Sequence, residues 1–328
     1  MKQTTVAILG AGSWGTAVAI HLAHSGHRVL LWGHNPDTMA EMQQQRCNVR
    51  YLPGIHFPEN LMATSNLEEA VQQTKELILA VPSHAFRELL AKLPKPTSGL
   101  AWLTKGIDPK TRALLSELVH EQWENCPIAV ISGPSFAKEV AQLLPTALVV
   151  AGKNTPYVKR LCHVLHHRNI RVYQSDDVIG VQICGAVKNV LAIACGISDG
   201  LNYGANAKAA LITRGLAEMS RLGISLGAQA ETFMGLAGVG DLVLTCTDDQ
   251  SRNRRFGLQL GQGANLRAAE AAIGQVVEGK HNAAQVVALA KEQGIEMPIC
   301  HEVNAIIQGK TSAEKAVGDL MSRPPKAE

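Results

Sequence analysis

The chain has 328 residues, 46% of them apolar and 18% charged, and its 31 basic and 28 acidic residues leave a formal charge of only +3. That balance excludes a disordered chain, and it excludes a general nucleic-acid or membrane-surface footprint because any basic function must be local. Aromatics at 4% argue equally against a base-stacking platform. Length and apolar share together supply cores for two domains of ordinary size. Seven cysteines without a CxxC pair suit reduced thiols in a cytoplasmic chain better than a disulfide frame. No targeting segment is expected, since the first apolar run meets Gly10 after four residues.

In chain order, short apolar runs at 5–9, 28–32, 76–81, 100–104, 128–131, 146–151 and 170–173 read as strands. Helix-length stretches such as 15–24, 66–73 and 110–124 lie between them, the alternation expected of a parallel sheet. After Asp176 the texture changes to helical patterns with glycine-rich joints, for example 207–222, 252–260, 283–293 and 312–320. The stretch 178–197 has the length of a membrane span, but Gln182, Lys188 and Asn189 near its middle make it a buried core helix with no membrane insertion. The fold class is therefore α/β: an N-terminal Rossmann-like domain with a largely parallel sheet, then a C-terminal all-α domain. The expected division is 1–177 for dinucleotide binding and 178–328 for substrate and catalysis.

Open parallel sheets bind ligands beyond the carboxyl ends of their strands. After the first run comes Gly10-Ala11-Gly12-Ser13-Trp14-Gly15, leading directly into a helix. Gly10 permits a tight turn, Gly12 lets the backbone approach a pyrophosphate, and Gly15 allows close packing of helix on strand. The second run ends in His34 and Asn35, where an NAD-selective site usually has a carboxylate, and Asp37 comes two residues late. Without that carboxylate a 2′-phosphate meets no repulsion, so NADPH is the preferred cofactor and NADH remains possible. Lys105, beside Gly106 at a later strand end, is a candidate ligand rather than a solvated loop lysine. The run Ser132-Gly133-Pro134-Ser135 lacks a hydrolase elbow.

Lys188 is the most informative residue of the second half. Cys184, Gly185, Leu191 and Ala192 flank it one helical turn away, and ten residues in either direction bring no countercharge. Snorkelling to water accounts for most such lysines. Buried, however, the amine is prepared for proton transfer near neutrality, and Asn189 adds a donor for the same oxygen. Asp241, between a glycine-rich joint and an apolar run, is an N-cap, a partner for Lys188 or a ligand for a hydroxyl. Ser251 is a plausible N-cap for a helix carrying Arg252, Arg254 and Arg255. That group is either a solvated face paired with Asp248 and Asp249, or a phosphate site. Cys162 and His163 with His166 and His167 lack a second ligand set, so no metal is expected.

Taken together, Gly10–Gly15, Pro82–Phe86, Thr104–Gly106, Gly133–Ala137, Lys188-Asn189, Gly238–Thr247, Ser251–Asn253 and Gln275–Gly279 resemble the bacterial-type NAD(P)-dependent glycerol-3-phosphate dehydrogenase family. The likeness runs from about Val6 to Met321, and Trp14 fills a place where Tyr or Trp is common. It implies interconversion of dihydroxyacetone phosphate and sn-glycerol 3-phosphate, the backbone of phospholipids. It further implies that Ser13, Trp14, His34, Lys105, Ala137, Arg252, Val276 and Glu278 contact the cofactor. Lys105, Gly133, Ser135, Lys188, Asp241, Ser251, Arg252 and Asn253 are implied around a phosphorylated triose, with Lys188 as proton donor or acceptor aided by Lys105. Two rivals stay open: a β-hydroxyacid or 6-phosphogluconate-type dehydrogenase, and a regulator that senses NADPH without turnover. An apolar helical domain also suits a homodimer.

Overall fold

The computed structural model describes residues 3–325, which form two compact units. One runs up to Lys105 and takes in Ala113–Val178; the other joins Gly106–Arg112 to the chain from Ile179 onward. Gly106–Arg112 thus groups with the second unit, where Arg112 Nε donates to Glu292 Oε1 at 2.6 Å.

The first unit is built on the strands β1 (Thr5–Leu9), β2 (Arg28–Trp32), β3 (Leu61–Thr64), β4 (Glu76–Leu79), β5 (Leu100–Trp102), β6 (Ile128–Ser132), β7 (Thr146–Ala151) and β8 (Ile170–Ser175). They form one sheet in the order β3-β2-β1-β4-β5-β6-β7-β8. All neighbours are parallel except β6 and β7. Strand order reverses between β1 and β4, which places the ligand crevice of such a sheet at the carboxyl ends of those two strands. The helices of this unit are α1 (Ser13–His24), α2 (Pro36–Gln45), α3 (Leu67–Gln72), α4 (Ser83–Ala91), α5 (Leu115–Gln122), α6 (Ala137–Ala141) and α7 (Thr155–Leu165).

Alternation along the strands sorts the core. Val6, Ile8, Val29, Leu31, Ile78, Ala101, Ala129 and Ile131 share one buried cluster with Val18, Ile20 and Leu22 of α1 and with Leu161 and Leu165 of α7. On the other side Phe86 of α4 meets Trp102 of β5 edge to face, ring centroids 5.7 Å apart. Both β3 and the start of α5 escape the pattern reading. The four residues of β3 include Met62 at 40% exposure, so they carry little strand signal. The expected helix over 110–124 starts only at Leu115, because Asp108 accepts from Thr111 N and Oγ1 and Arg112 turns left-handed at φ 63°.

The second unit is helical: α8 (Val178–Gly200), α9 (Gly204–Ser225), α10 (Ala230–Phe233), α11 (Asp241–Thr247), α12 (Arg252–Gly261), α13 (Leu266–Ile273), α14 (Glu278–Glu292), α15 (Pro298–Ile307) and α16 (Ala313–Met321). A π-helical turn, Leu236–Gly240, leads into α11, so the apolar run after Asp241 is helix. Among the described residues α8 alone is long and apolar enough to cross a membrane, and 94% of its most apolar window is buried inside the protein. Burying Ile183, Val187, Leu191 and Ile193 completely stabilises the unit by about 1.5–3 kcal/mol per side chain. None of the seven cysteines is in a disulfide, and all are buried.

His21 of α1 illustrates what burial does to a titrating group. It is 0% exposed, its Nε2 bonds Leu165 O at 2.8 Å, and its Nδ1 has no partner. Burial lowers the imidazole from 6.5 to about 4. The folded protein therefore refuses a proton that the unfolded chain accepts, so stability is unaffected above pH 6.5 and is lost as pH falls from 6.5 towards 4. Between pH 7 and 4.5 the loss from this group is about 2–3 kcal/mol. His21→Gln keeps a donor for Leu165 O but cannot titrate. Urea denaturation at the two pH values is expected to show the variant losing that much less stability than the wild type; equal losses would rule the effect out.

Candidate active site

The first part of the site is the turn after β1. Gly10 has φ +134°, a conformation that side chains avoid, and a Cβ there would come 2.5 Å from Ala80 O. A Cβ on Gly15 would collide with Gly10 O, so this pair sets α1 tightly against the ends of β1 and β4. Gly12 stands at the N-cap of α1 with no side-chain cap, no acidic residue in the first turn, and open space where a Cβ would project. Trp14 Nε1 is buried without a partner. A helix start whose N–H groups find no side-chain acceptor fits the pyrophosphate of a dinucleotide, with Ser13 and Trp14 as its opening residues. His34 is exposed just beyond β2. Asn35 has a structural task, its Oδ1 capping α2 by accepting from Thr38 N at 2.8 Å, and Asp37 lies exposed in that helix's first turn.

Lys105, Gly133 and Ser135 come together in the same unit. Lys105 Nζ donates to Gly133 O at 3.4 Å, and Ser135 Oγ donates to the same carbonyl at 2.9 Å. Gly133 has φ +134° and a Cβ there would come 2.9 Å from Ala147 O. Ala137 is the first residue of α6.

In the second unit Lys188 is 6% exposed, and its Nζ lies 2.5 Å from Asp241 Oδ1, itself on a residue 1% exposed. Nζ also donates to Thr245 Oγ1 at 2.9 Å, while Thr245 Oγ1 donates to Asp241 O at 2.6 Å. The ten residues on either side of Lys188 bring no countercharge; the carboxylate arrives from a helix 53 residues away in sequence, which is the partner reading of Asp241. Asp241 is not a cap, since Gly240 holds that position. Cys246, next in α11, is pushed well above its ordinary value by its bond to Cys195 and by burial, so it stays a neutral thiol beside the ion pair.

The predicted cap at Ser251 forms: its Oγ accepts from Arg254 N at 3.2 Å at the start of α12. The arginines separate in function. Arg254 is 9% exposed and is gripped by Asp199, with Nη2 to Oδ2 at 2.5 Å, and by Asp249. Burial works against its charge, but those two carboxylates outweigh it and push the guanidinium up. Asp248 instead accepts from Gln250 N at 2.7 Å. Arg252, half-buried at the helix start, reaches Gln275 Oε1 at 3.3 Å. Asn253 Nδ2 donates to Asn189 Oδ1 at 3.0 Å, and its Oδ1 accepts from Gly279 N at 2.9 Å, so it ties α8, α12 and α14 together. Asn189 Nδ2 turns back to Gly185 O at 3.2 Å. Val276 is 39% exposed, and Glu278 opens α14.

Close backbone approach makes this cluster possible. A Cβ on Gly257 would strike Ile193 O, and one on Gly196 would strike Arg254 O, so α8 and α12 cross with nothing between their backbones. Thr245 and Asp199 are the members that motif reading missed. Thr245 was detectable as the i+4 neighbour of Asp241, and Asp199 as the first carboxylate on α8 after Lys188, three turns on. Among the described residues no group of three or more His, Cys, Asp or Glu is arranged to hold a metal ion.

Comparison with known proteins matches both units. The family model for the NAD-dependent glycerol-3-phosphate dehydrogenase N-terminus covers residues 5–158, and that for its C-terminus covers 177–318. A relative from Legionella pneumophila (strain Lens), a glycerol-3-phosphate dehydrogenase [NAD(P)+], is 66% identical over 329 residues and 100% of each chain. One of the same name from Thioalkalivibrio sulfidiphilus is 55% identical over 332 residues, again 100% of each. The crystal structure of glycerol-3-phosphate dehydrogenase from Coxiella burnetii superimposes with a TM-score of 0.94 at 49% identity, covering 98% of this chain and 99% of that one. With both of its halves matched and full-length relatives this similar, the chain belongs to the NAD-dependent glycerol-3-phosphate dehydrogenase family.

Proposed function

We propose that this chain interconverts dihydroxyacetone phosphate and sn-glycerol 3-phosphate by hydride transfer with NAD(P)H, supplying glycerol phosphate for phospholipid synthesis. The observation that carries this reading is the buried Lys188–Asp241 pair, 2.5 Å apart, in a chain of this family. Bound NAD(P)H supplies the hydride. As a carbonyl becomes an alkoxide, Lys188 Nζ donates the proton that makes the alcohol, and in the reverse direction it takes the proton back. Asp241 and Thr245 hold the amine in place, and Asp241 balances its charge in surroundings that exclude water.

The phosphate is assigned to the start of α12. The opening turn of α12, capped by Ser251 Oγ, points its positive end at an anion, and Arg252 brings a guanidinium that makes paired bonds to an oxyanion. Binding energy gained there positions the reacting carbon without touching it. Asn253 joins them through its position, with its amide committed to Asn189 and Gly279. Lys105, Gly133 and Ser135 are assigned to the same substrate, and Gly10, Gly12, Ser13, Trp14, Gly15, His34, Ala137, Val276 and Glu278 to the cofactor. NADPH is favoured over NADH because no carboxylate caps the end of β2, where His34 stands. A cytoplasmic homodimer completes the reading.

Absorbance of NADPH at 340 nm tests the activity directly: it falls on adding dihydroxyacetone phosphate, whereas a sensor without turnover leaves it unchanged. Lys188→Ala is expected to cut kcat about 10³-fold while NADPH still binds; near-normal turnover would remove Lys188 from the chemistry. Arg252→Ala is expected to raise KM for the phosphorylated ketone at least tenfold, and an unchanged KM would contradict the anion site.

A further inference from the structure

We infer that Asn48 is a positioning residue for the dinucleotide site, holding the glycine turn in its binding conformation from a segment that takes no part in the contacts assigned above. Asn48 lies in the irregular stretch between α2 and β3 and is 0% exposed. Both hydrogens of its amide are spent on the turn and the helix behind it. Nδ2 donates to Ala11 O at 3.1 Å and to Thr16 Oγ1 at 2.8 Å. Thr16 is likewise 0% exposed, and its own N–H donates to Gly12 O at 3.0 Å. Asn48 thus grips one carbonyl inside Gly10–Gly15 and the first full turn of α1 at the same time.

The segment that carries Asn48 is itself held rigid. Arg46, in the left-handed region at φ 51°, donates Nη1 to Leu61 O at 2.8 Å and Nη2 to Pro58 O at 2.5 Å. Asn48 O accepts from Leu52 N at 2.8 Å, and Asn48 Oδ1 accepts from Tyr51 N at 3.3 Å. A carbonyl fixed in direction fixes its peptide plane. The plane between Ala11 and Gly12 carries the Gly12 N–H, so fixing Ala11 O decides where that donor points. Preorganised donors bind an anion without first being ordered, which is where the affinity arises. Gly10 and Gly15 act on a different distance, how closely α1 approaches the sheet.

This inference rests on the glycine turn being the cofactor site, so the experiment carries an arm for each. Dissociation constants for NADPH are measured by nucleotide fluorescence on the full-length wild type, Asn48→Ala, Asn48→Asp, Thr16→Val and Gly12→Val, with kcat and KM for dihydroxyacetone phosphate at saturating NADPH. Asn48→Ala is expected to weaken NADPH about tenfold with kcat and the ketone KM within about threefold of wild type. Asn48→Asp, which sets a carboxylate oxygen against Ala11 O, weakens it at least as much. Thr16→Val removes one of the two bonds without opening a cavity, weakens it about threefold, and serves if Asn48 variants fail to fold. A purely structural role would lower the folded fraction and kcat while leaving the NADPH constant unchanged, and that result overturns the inference. Should Gly12→Val abolish NADPH binding while Asn48→Ala and Thr16→Val leave it within twofold, the glycine turn stands and Asn48 falls. Undiminished binding by Gly12→Val instead overturns the site on which both depend.

Discussion

An ammonium and a carboxylate 2.5 Å apart, on residues 6% and 1% exposed, are the constraint around which the helical unit is arranged. Removing two ions from water costs several kcal/mol each, and their attraction returns this only with close geometry and satisfied remaining bonds. Both conditions hold here, because Thr245 bonds to Nζ and to the Asp241 backbone. Such a pair adds little net stability compared with apolar side chains of the same size. Its presence in the middle of the most apolar helix accords with the role proposed for Lys188, a desolvated amine of fixed position whose charge is balanced locally.

Several neighbouring polar groups hold the helices together. Arg254 is locked by Asp199 and Asp249, and Asp199 also bonds Lys208 at 2.8 Å, which anchors α12 to α8 and α9. Asn253 performs the same service between α8 and α14. At the same helix start Ser251 Oγ accepts from Arg254 N and Arg252 reaches Gln275 Oε1. Glycines at the crossing of α8 and α12 complete the design by letting the backbones approach. The first unit shows the same economy, with Gly10 and Gly15 setting the helix against the sheet and Asn48 directing a single peptide plane.

Much of this was readable in the sequence where the physics is local. β1, β2 and β7 coincide with their apolar runs to the residue, since each is a buried strand bounded by turn residues. The Ser251 cap was readable because capping depends on a residue type three positions before its donor. β3 was not, being four residues long with an exposed methionine, and α2 was not, because its polar sequence shows only Met39 and Met42 to the core. Pairings across long sequence separations were equally hidden. Lys188 and Asp241 were each singled out, yet their contact spans 53 residues, and Asn48 to Ala11 spans 37. Nothing local marks Asn48, whose task arises only when the strap after α2 folds back on the glycine turn.

The central claim is that the Lys188–Asp241 pair is retained for proton transfer at a cost in fold stability. A double-mutant cycle read by urea denaturation tests it, using Lys188→Met, Asp241→Leu and the combination, with turnover measured alongside. Each single replacement strands one charge in apolar surroundings and is expected to destabilise the protein by about 3–5 kcal/mol. The combination, which strands none, is expected to regain wild-type stability or better while remaining inactive. Simple additivity of the two losses, or turnover by the combined variant close to wild type, would contradict the claim.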